Sequence, residues 1–575
     1  MSEKKTVVGT GGELLMHQLV AQGVDYAFTN TGSAEAGFFD AFLTVKGVQP
    51  ILLLNEALVL SAADGYAKAA KKPAFVNVHL AAGTRQGTGQ LFNSYFDGTP
   101  MVVTAALRDN GSFGDHNPLG AQAGFSQMST VQDVTKNRWE VTDPRGIPMA
   151  TRRAFKEAMS MPSGPVYVAY DGLALDAKNV EALIETAKPL ELAMAPQMST
   201  LEAMHDALLN AQKPLLLAGP DIHAAKAHEE VLQLAENYSL PVAHNMFDYS
   251  AFPLRHPNYV GPIDLMDDSG YDVVITVGYR QSTRAGAGDH RFKDAGTIIA
   301  IGHDPNLIGN THNVDIGVVG NVRHSVAALN ALWKPDHANL AHIQKRKQEL
   351  AAQAKARATK MVERAAKLSG DKPIHPDFLG YTMGKCLAEN TMLVSEAFRA
   401  ADQLMPLGYA ENEWDYVRTY GASLGYGPGS AVGAQLGAPD RPVTLGLGDG
   451  AVMYSSSAFW SMARYGLPIL TVVFNNMQYQ TVRANFAGWG GNMAAQNKYP
   501  ETFLGDPEID FVMLAKAQGI EGQRVDDPGD LEKALKRGSD AQAAGEPYLL
   551  DVRITNVGAG ADQSWYMPHK VGAAH

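Results

Sequence analysis

Residues 442–476 read PVTLGLGDGAVMYSSSAFWSMARYGLPILTVVFNN. An apolar run ends in Gly448, Asp449 and Gly450, a Ser-rich helical stretch (SSSAFWSMARYG) follows, and a second apolar run ends in Asn475 and Asn476. This is one strand–helix–strand unit of a parallel sheet, with polar residues where both strands finish. Open parallel sheets bind ligands at those carboxyl ends, where a helix N-terminus offers free N–H groups to an anion. Gly446, Gly448 and Ala451 also fit the dinucleotide pattern G-x-G-x-x-A. A dinucleotide fold, however, wants an acid after the second strand to take the ribose hydroxyls, and Asn475 and Asn476 stand there. Asp449 and an amide offer hard oxygens instead, which suit Mg²⁺ bridged to phosphates.

The same rhythm extends outward in both directions. ILLLNEA, PAFVNVHLAAG, PMVVTAALRD and GPVYVAYDG alternate with helical stretches between residues 50 and 172. PLLLAGPD, LPVAHNM, YDVVITVGY and GTIIAIGHDP follow the stretch ELAMAPQMS at 191–199, and MLVSEA and EPYLLDVRI flank the opening unit. The pattern predicts an α/β protein of three doubly wound parallel-sheet domains, at 1–185, 195–335 and 373–565. A linker helix is expected at 340–372, since residues 344–367 hold eight Lys/Arg and two Glu among many Ala. A solvated face explains that run better than a nucleic-acid arm.

Composition agrees with this reading. The chain has 575 residues, 45% hydrophobic and 19% charged, which is enough to bury a large core and excludes fibres, small disulfide scaffolds and general disorder. Lys+Arg 48 against Asp+Glu 60 gives a net charge of −12, a field that repels nucleic acid and anionic membrane, so neither is expected as a partner. The single cysteine, Cys386, can form neither an internal disulfide nor a Cys-based zinc site. The start, MSEKKTVVGTGGELLMHQL, lacks an apolar run of signal-peptide length, and no later stretch approaches about 18 uncharged apolar residues. A cytoplasmic protein is expected.

GDG, 24 intervening residues and NN together resemble the diphosphate motif of thiamine diphosphate (ThDP) enzymes. The resemblance implies that Asp449 and Asn476 bind Mg²⁺ (or Ca²⁺) through their side chains and Gln478 through its backbone carbonyl. It places Gly448, Gly450, Ala451, Tyr454 and Tyr479 around the cofactor. A ThDP enzyme also needs a carboxylate beside the aminopyrimidine, and Glu56 in ILLLNEALVLSAADGYAKAAKK is charged where an apolar strand ends. Burial of such a group costs several kcal/mol unless it is paired or protonated, so its presence asks for a reason. The segment is similar to the glutamate segment of benzoylformate decarboxylase and its relatives. Leu424 in YGASLGYG falls where that family places the residue that bends the cofactor, and the Ala422 carbonyl would then face the 4′-amino group.

On the substrate side, Ser33 in FTNTGSAEAGF and His79 in FVNVHLAAGT match the benzoylformate decarboxylase pattern, which implies carboxylate contact for the Ser and proton transfer for the His. There are departures as well. Ala285 occupies the position of the family's second active-site His, with Arg284 and His290 as possible replacements. Phe398 and Arg399 stand in a segment usually rich in Ser/Thr. Arg418 replaces an aromatic pocket residue and, with Phe486, is assigned to the substrate pocket; an Arg there favours a second anionic group on the substrate.

The expected protein is a three-domain ThDP enzyme that converts a 2-oxo acid to an aldehyde without oxidation, working as a homo-oligomer, dimer or tetramer, because in the family the two cofactor-binding domains come from different subunits. A carboligase or C–C lyase of the acetolactate synthase or 2-hydroxyacyl-CoA lyase kind is the alternative. A non-catalytic ThDP-binding protein is a second, and a nicotinamide dehydrogenase ranks below both. No FAD or CoA site is legible in the central domain.

Overall fold

The structure, a computed structural model, describes residues 4–107, 118–121, 126–186, 194, 196–245, 251–263, 266, 269–280, 292, 294–310, 312–397, 416–419 and 421–561. The N-terminal domain holds β1 (Lys4–Gly9), β2 (Tyr26–Thr29), β3 (Gln49–Leu52), β4 (Ala74–Val78), β5 (Met101–Leu107), β6 (Asn137–Val141), β7 (Pro165–Asp171) and β8 (Val180–Glu185). Six of these form a parallel sheet in the order β3-β2-β4-β5-β7-β6, while β1 and β8 pair antiparallel beside it. The central domain holds β9 (Pro214–Ala218), β10 (Val242–His244), β11 (Tyr259–Pro262), β12 (Val273–Val277), β13 (Thr297–Gly302) and β14 (Ile316–Val319), parallel in the order β11-β10-β9-β12-β13-β14. The C-terminal domain holds β15 (Met392–Glu396), β16 (Tyr416–Val417), β17 (Val443–Gly448), β18 (Ile469–Asn475), β19 (Glu521–Val525) and β20 (Tyr548–Arg553), parallel in the order β16-β15-β17-β18-β20-β19.

Strands β4, β5, β15 and β18 are buried at every residue, which explains their near-continuous apolar sequences: helices cover both faces of a parallel sheet. In the N- and C-terminal domains the strand order reverses between the first and third strands, β2/β4 and β15/β17, and ligands of such sheets bind at that switch point.

A helix, Ala341–Leu368, runs within 340–372, and it is not wholly solvated. Buried Arg346 donates to the carbonyls of Ala211, Tyr238 and Ser239 at 2.9, 2.6 and 2.9 Å, so part of its basic character pins the helix to the central domain. Among the described residues, no helix is long and apolar enough to cross a membrane.

Two helices join the outer domains. Glu56–Ala70 and Tyr426–Gly437 run parallel at a separation that only glycine permits. A Cβ on Gly433 would lie 1.8 Å from the Ala62 carbonyl oxygen, one on Gly65 2.1 Å from that of Ser430, and one on Gly429 2.0 Å from Ser61 Oγ. Glycine inside a helix costs about 1 kcal/mol relative to alanine, offset here by the backbone approach it allows. Leu58, Val59 and Ala62 share one core cluster with Ala431, Val432 and Leu445 across this seam. The paired registers set the Glu56 end of one helix beside the residues that open the other.

Candidate active site

The unit quoted at the outset folds as expected, with one difference. The helix starts at once with Asp449, runs to Ser455, and resumes as Ala458–Arg464. The break falls in the run Ser455–Ser457, whose hydroxyls compete for backbone hydrogen bonds. Gly448 is the N-cap, and Asp449 is 4% exposed. Its Oδ1 accepts the Gly450 N–H at 2.7 Å, while Oδ2 is buried and has no hydrogen-bond partner among the described residues. Burial pushes the Asp449 carboxyl up to about 7, against the lowering effect of backbone N–H groups from Gly450, Met477, Gln478 and Asn476. The Asp449 carboxylate thus lies against the loop after β18, so Asp449, Asn476 and Gln478 are brought together. Asn476 Oδ1 accepts the Gln478 N–H at 3.0 Å.

This arrangement fits a hard cation. A buried carboxylate oxygen without a donor is costly unless a positive charge meets it. Among the described residues no group of three His, Cys, Asp or Glu could hold a metal, so an ion here would meet one carboxylate and neutral oxygens, the set that shares Mg²⁺ with substrate or cofactor phosphates. Tyr479 packs against Gly450, where a Cβ would sit 2.4 Å from the ring. Burial raises the Tyr479 hydroxyl above its ordinary range, with Tyr454 and Asp449 adding to the effect. Tyr454 itself is 56% exposed. Ala451, in the same first turn, is buried.

Ala422, Leu424 and Gly425 form the turn that opens the Tyr426–Gly437 helix. Gln90 donates to the Leu424 carbonyl at 2.8 Å and Asn93 to that of Ser423 at 3.0 Å, so the N-terminal domain grips this turn. Leu424 is half-buried and Ala422 exposed. Glu56 opens its helix behind the cap that Asn55 provides to the Ala57 N–H, and is 8% exposed. Its Oε1 faces Gly83 so closely that a Cβ there would lie 2.7 Å away. Of the eleven described non-glycine residues with positive φ, Ala422 and Met477 belong to these loops, both at 56°, and Leu80, at 52°, opens the helix Leu80–Asp97 behind His79. Such strain persists where the surroundings over-determine the backbone, as functional sites do.

Ser33 and His79 form a separate group at the switch point of the N-terminal sheet. The Gly32 backbone approaches the imidazole so closely that a Cβ would fall 1.9 Å from Nδ1, and exposed Ser33 follows Gly32 in the chain. His79 Nδ1 lies 2.7 Å from Glu35 Oε2. Glu35, fully buried, also accepts the Ala106 N–H at 2.9 Å and the Leu80 N–H at 3.4 Å. Sequence reasoning passed over Glu35; the signal was its place two residues beyond Ser33. It passed over Glu396 too, the last residue of the strand MLVSE, buried at 4% exposure and bonded to the N–H groups of Gly425 and Gly427 at 2.6 and 2.8 Å. Burial pushes its carboxyl up to about 7.

Arg418 is 1% exposed, and its backbone carbonyl accepts from buried Lys68 at 3.2 Å. Phe486 lies half-buried in the helix Gln480–Trp489 beyond the Asn476 loop. Arg284, Ala285, His290, Phe398 and Arg399 lie outside the described residues.

Comparison with known proteins agrees along the chain. Residues 9–132, 201–329 and 401–552 match the N-terminal TPP binding domain, the central domain and the C-terminal TPP binding domain of thiamine pyrophosphate enzymes. Over 567 residues the chain is 28% identical to benzoylformate decarboxylase of Pseudomonas aeruginosa, covering 95% of this chain and 98% of that protein. It is 26% identical over 589 residues to a probable acetolactate synthase large subunit of Methanocaldococcus jannaschii, covering 95% and 92%. The solved structure of a thiamine diphosphate-dependent 4-hydroxybenzoylformate decarboxylase from Rhodococcus jostii RHA1 superposes with a TM-score of 0.79 at 25% identity, covering 95% of this chain and 99% of that one. With the three parallel sheets and the buried Asp449 after β17, whose Oδ2 has no hydrogen-bond partner among the described residues, these matches lead to one conclusion: the chain belongs to the thiamine pyrophosphate enzyme family and is a ThDP-dependent enzyme.

Proposed function

We propose that the enzyme decarboxylates a 2-oxo acid non-oxidatively and releases an aldehyde, with the chain divided at 1–185, 195–335, 340–372 and 373–565. The observation that carries this reading is the imidazole of His79, held at 2.7 Å by the buried Glu35 carboxylate, with the Gly32 backbone packed against the ring. When bound, ThDP would supply a carbon nucleophile and a ring able to take up the electron pair that departing CO₂ leaves behind. The chain supplies positioning and proton management. Asp449, Asn476 and the Gln478 carbonyl would hold Mg²⁺ or Ca²⁺. Glu56 provides the carboxylate for the aminopyrimidine, and Ala422 and Leu424 shape the pocket around it. Ser33 orients the substrate carboxylate, and His79 delivers a proton toward the product carbon.

The enzyme is proposed to act as a homodimer or tetramer. Phe92, Tyr95 and Phe96 are 39%, 40% and 37% exposed on the helix that His79 opens, and Met453, Tyr454 and Trp489 are 48%, 56% and 76% exposed around the Asp449 loop. Apolar surface of this kind is ordinarily covered by a partner. The acetolactate synthase relatives support a second reading, carboligation, in which a second carbonyl takes the place of the proton.

The deciding experiment measures CO₂ release and product identity from aromatic, aliphatic and dianionic 2-oxo acids with ThDP and Mg²⁺, for wild type and Glu56→Gln. Free aldehyde that disappears in the variant supports decarboxylation. A hydroxyketone on adding aldehyde supports carboligation, and turnover unchanged in Glu56→Gln removes the proposal.

A further inference from the structure

We propose that Glu396 is a positioning residue whose carboxylate clasps the turn carrying Ala422 and Leu424, shaping the pyrimidine end of the ThDP site while leaving the metal and diphosphate end alone. The inference rests on the assignment of Ala422 and Leu424 to that end of the cofactor. Glu396 ends β15 directly opposite Leu447 of β17, so two buried acids, Glu396 and Asp449, stand on neighbouring strand ends at the switch point. Their oxygens are used differently. Asp449 keeps Oδ2 without a donor among the described residues. Glu396 gives Oε1 to the Gly425 N–H at 2.6 Å and Oε2 to the Gly427 N–H at 2.8 Å, the geometry of an anion held by backbone amides, not of a metal ligand in waiting.

The turn needs such a clasp. Ala422 is left-handed at φ 56°, a conformation that costs a residue with a Cβ, whereas Gly425 takes φ +90° freely, so the strain of the turn falls on the Ala422 side of Leu424. Gln90 and Asn93 hold the Leu424 and Ser423 carbonyls from the N-terminal domain. Glu396 holds the following amides from the C-terminal domain. Gly427 is shaped for this contact: a Cβ there would lie 3.0 Å from Glu396 Cβ and 3.1 Å from Oε2. An amide in place of the carboxylate still accepts one N–H but turns its own NH₂ against the other.

The test separates the two ends of the cofactor by calorimetric titration of the apoenzyme, in the presence of Mg²⁺, with ThDP and with inorganic pyrophosphate, which fills only the diphosphate end. Glu396→Gln is expected to weaken ThDP binding at least tenfold while leaving pyrophosphate binding within twofold of wild type. Gly427→Ala, which displaces the carboxylate without removing it, is expected to give the same split and serves if Glu396→Gln does not fold. Equal weakening of both probes makes Glu396 part of the metal and diphosphate grip, and unchanged ThDP binding makes it structural only; either result overturns the proposal. Wild-type enzyme that binds pyrophosphate but not ThDP would instead overturn the assignment of the pyrimidine end.

Discussion

Glu35 holds His79 in place: one carboxylate oxygen lies 2.7 Å from Nδ1 of the imidazole, and the other accepts the Ala106 amide at 2.9 Å. The ring can therefore present only Nε2 to a substrate. His79→Ala is expected to lower kcat by about 10²–10⁴-fold, the usual contribution of a positioned acid or base. Glu35→Gln keeps the shape but loses the charge and should lower kcat by about tenfold with KM nearly unchanged. Steady-state kinetics on the best 2-oxo acid check both, and a Glu35→Gln enzyme with wild-type kcat would remove Glu35 from the proton path.

Lys68 lies between two buried carboxylates, 2.7 Å from Asp64 and 2.5 Å from Asp97, and donates to the Tyr426 hydroxyl at 3.0 Å. Lys68→Met strands both acids in the seam between the outer domains. Removing one member of a buried ion network costs about 3–5 kcal/mol. The urea midpoint of unfolding should fall markedly, whereas the double variant Lys68→Met/Asp97→Asn should recover part of the loss. Additive losses would show that the charges do not act as a unit.

Gly450→Ala places a methyl group 2.4 Å from the Tyr479 ring, so the ring must move away from the Asp449–Gly450 turn proposed to hold the diphosphate. We expect weaker ThDP binding, by about tenfold, with far-UV circular dichroism unchanged, since one interaction of roughly 1.4 kcal/mol is a factor of ten. Calorimetry of ThDP binding decides the matter.

Asp449→Asn removes the one carboxylate of the proposed ion site. Chelation by EDTA should release ThDP from wild type, and added Mg²⁺ should restore binding. The variant should need at least tenfold more Mg²⁺ for half-saturation, given how strongly such sites depend on ligand charge. ThDP that stays bound after exhaustive chelation would contradict the assigned ion.

Much of this was legible in the sequence because apolar runs and polar strand ends are local signals. The strands around Glu56, His79, Asp449 and Asn476 needed only their own residues to be read. Glu35 and Glu396 were not legible as site residues, since their roles depend on partners elsewhere in the chain: Glu35 bonds amides 45 and 71 residues away, and Glu396 amides 29 and 31 away. Arg418 shows the same limit: its burial is not written in its own segment, and the Lys68 that bonds its backbone carbonyl is 350 residues distant in sequence. The interrupted helix after Asp449 was misread for a different reason: a serine run is weakly helical, and tertiary packing chose where to break it.

The two outer sheets are drawn to one plan. Counting the strands of each six-stranded sheet in chain order, both follow 2-1-3-4-6-5, whereas the central sheet follows 3-2-1-4-5-6. His79 follows the third strand of the first sheet and caps the helix beyond it; Asp449 follows the third strand of the last and opens its helix. The same skeletal address thus carries an imidazole in one half and a carboxylate in the other. If the halves descend from one duplicated ancestor, their specialisation required little new architecture: a change of side chain at one corner and at its twin.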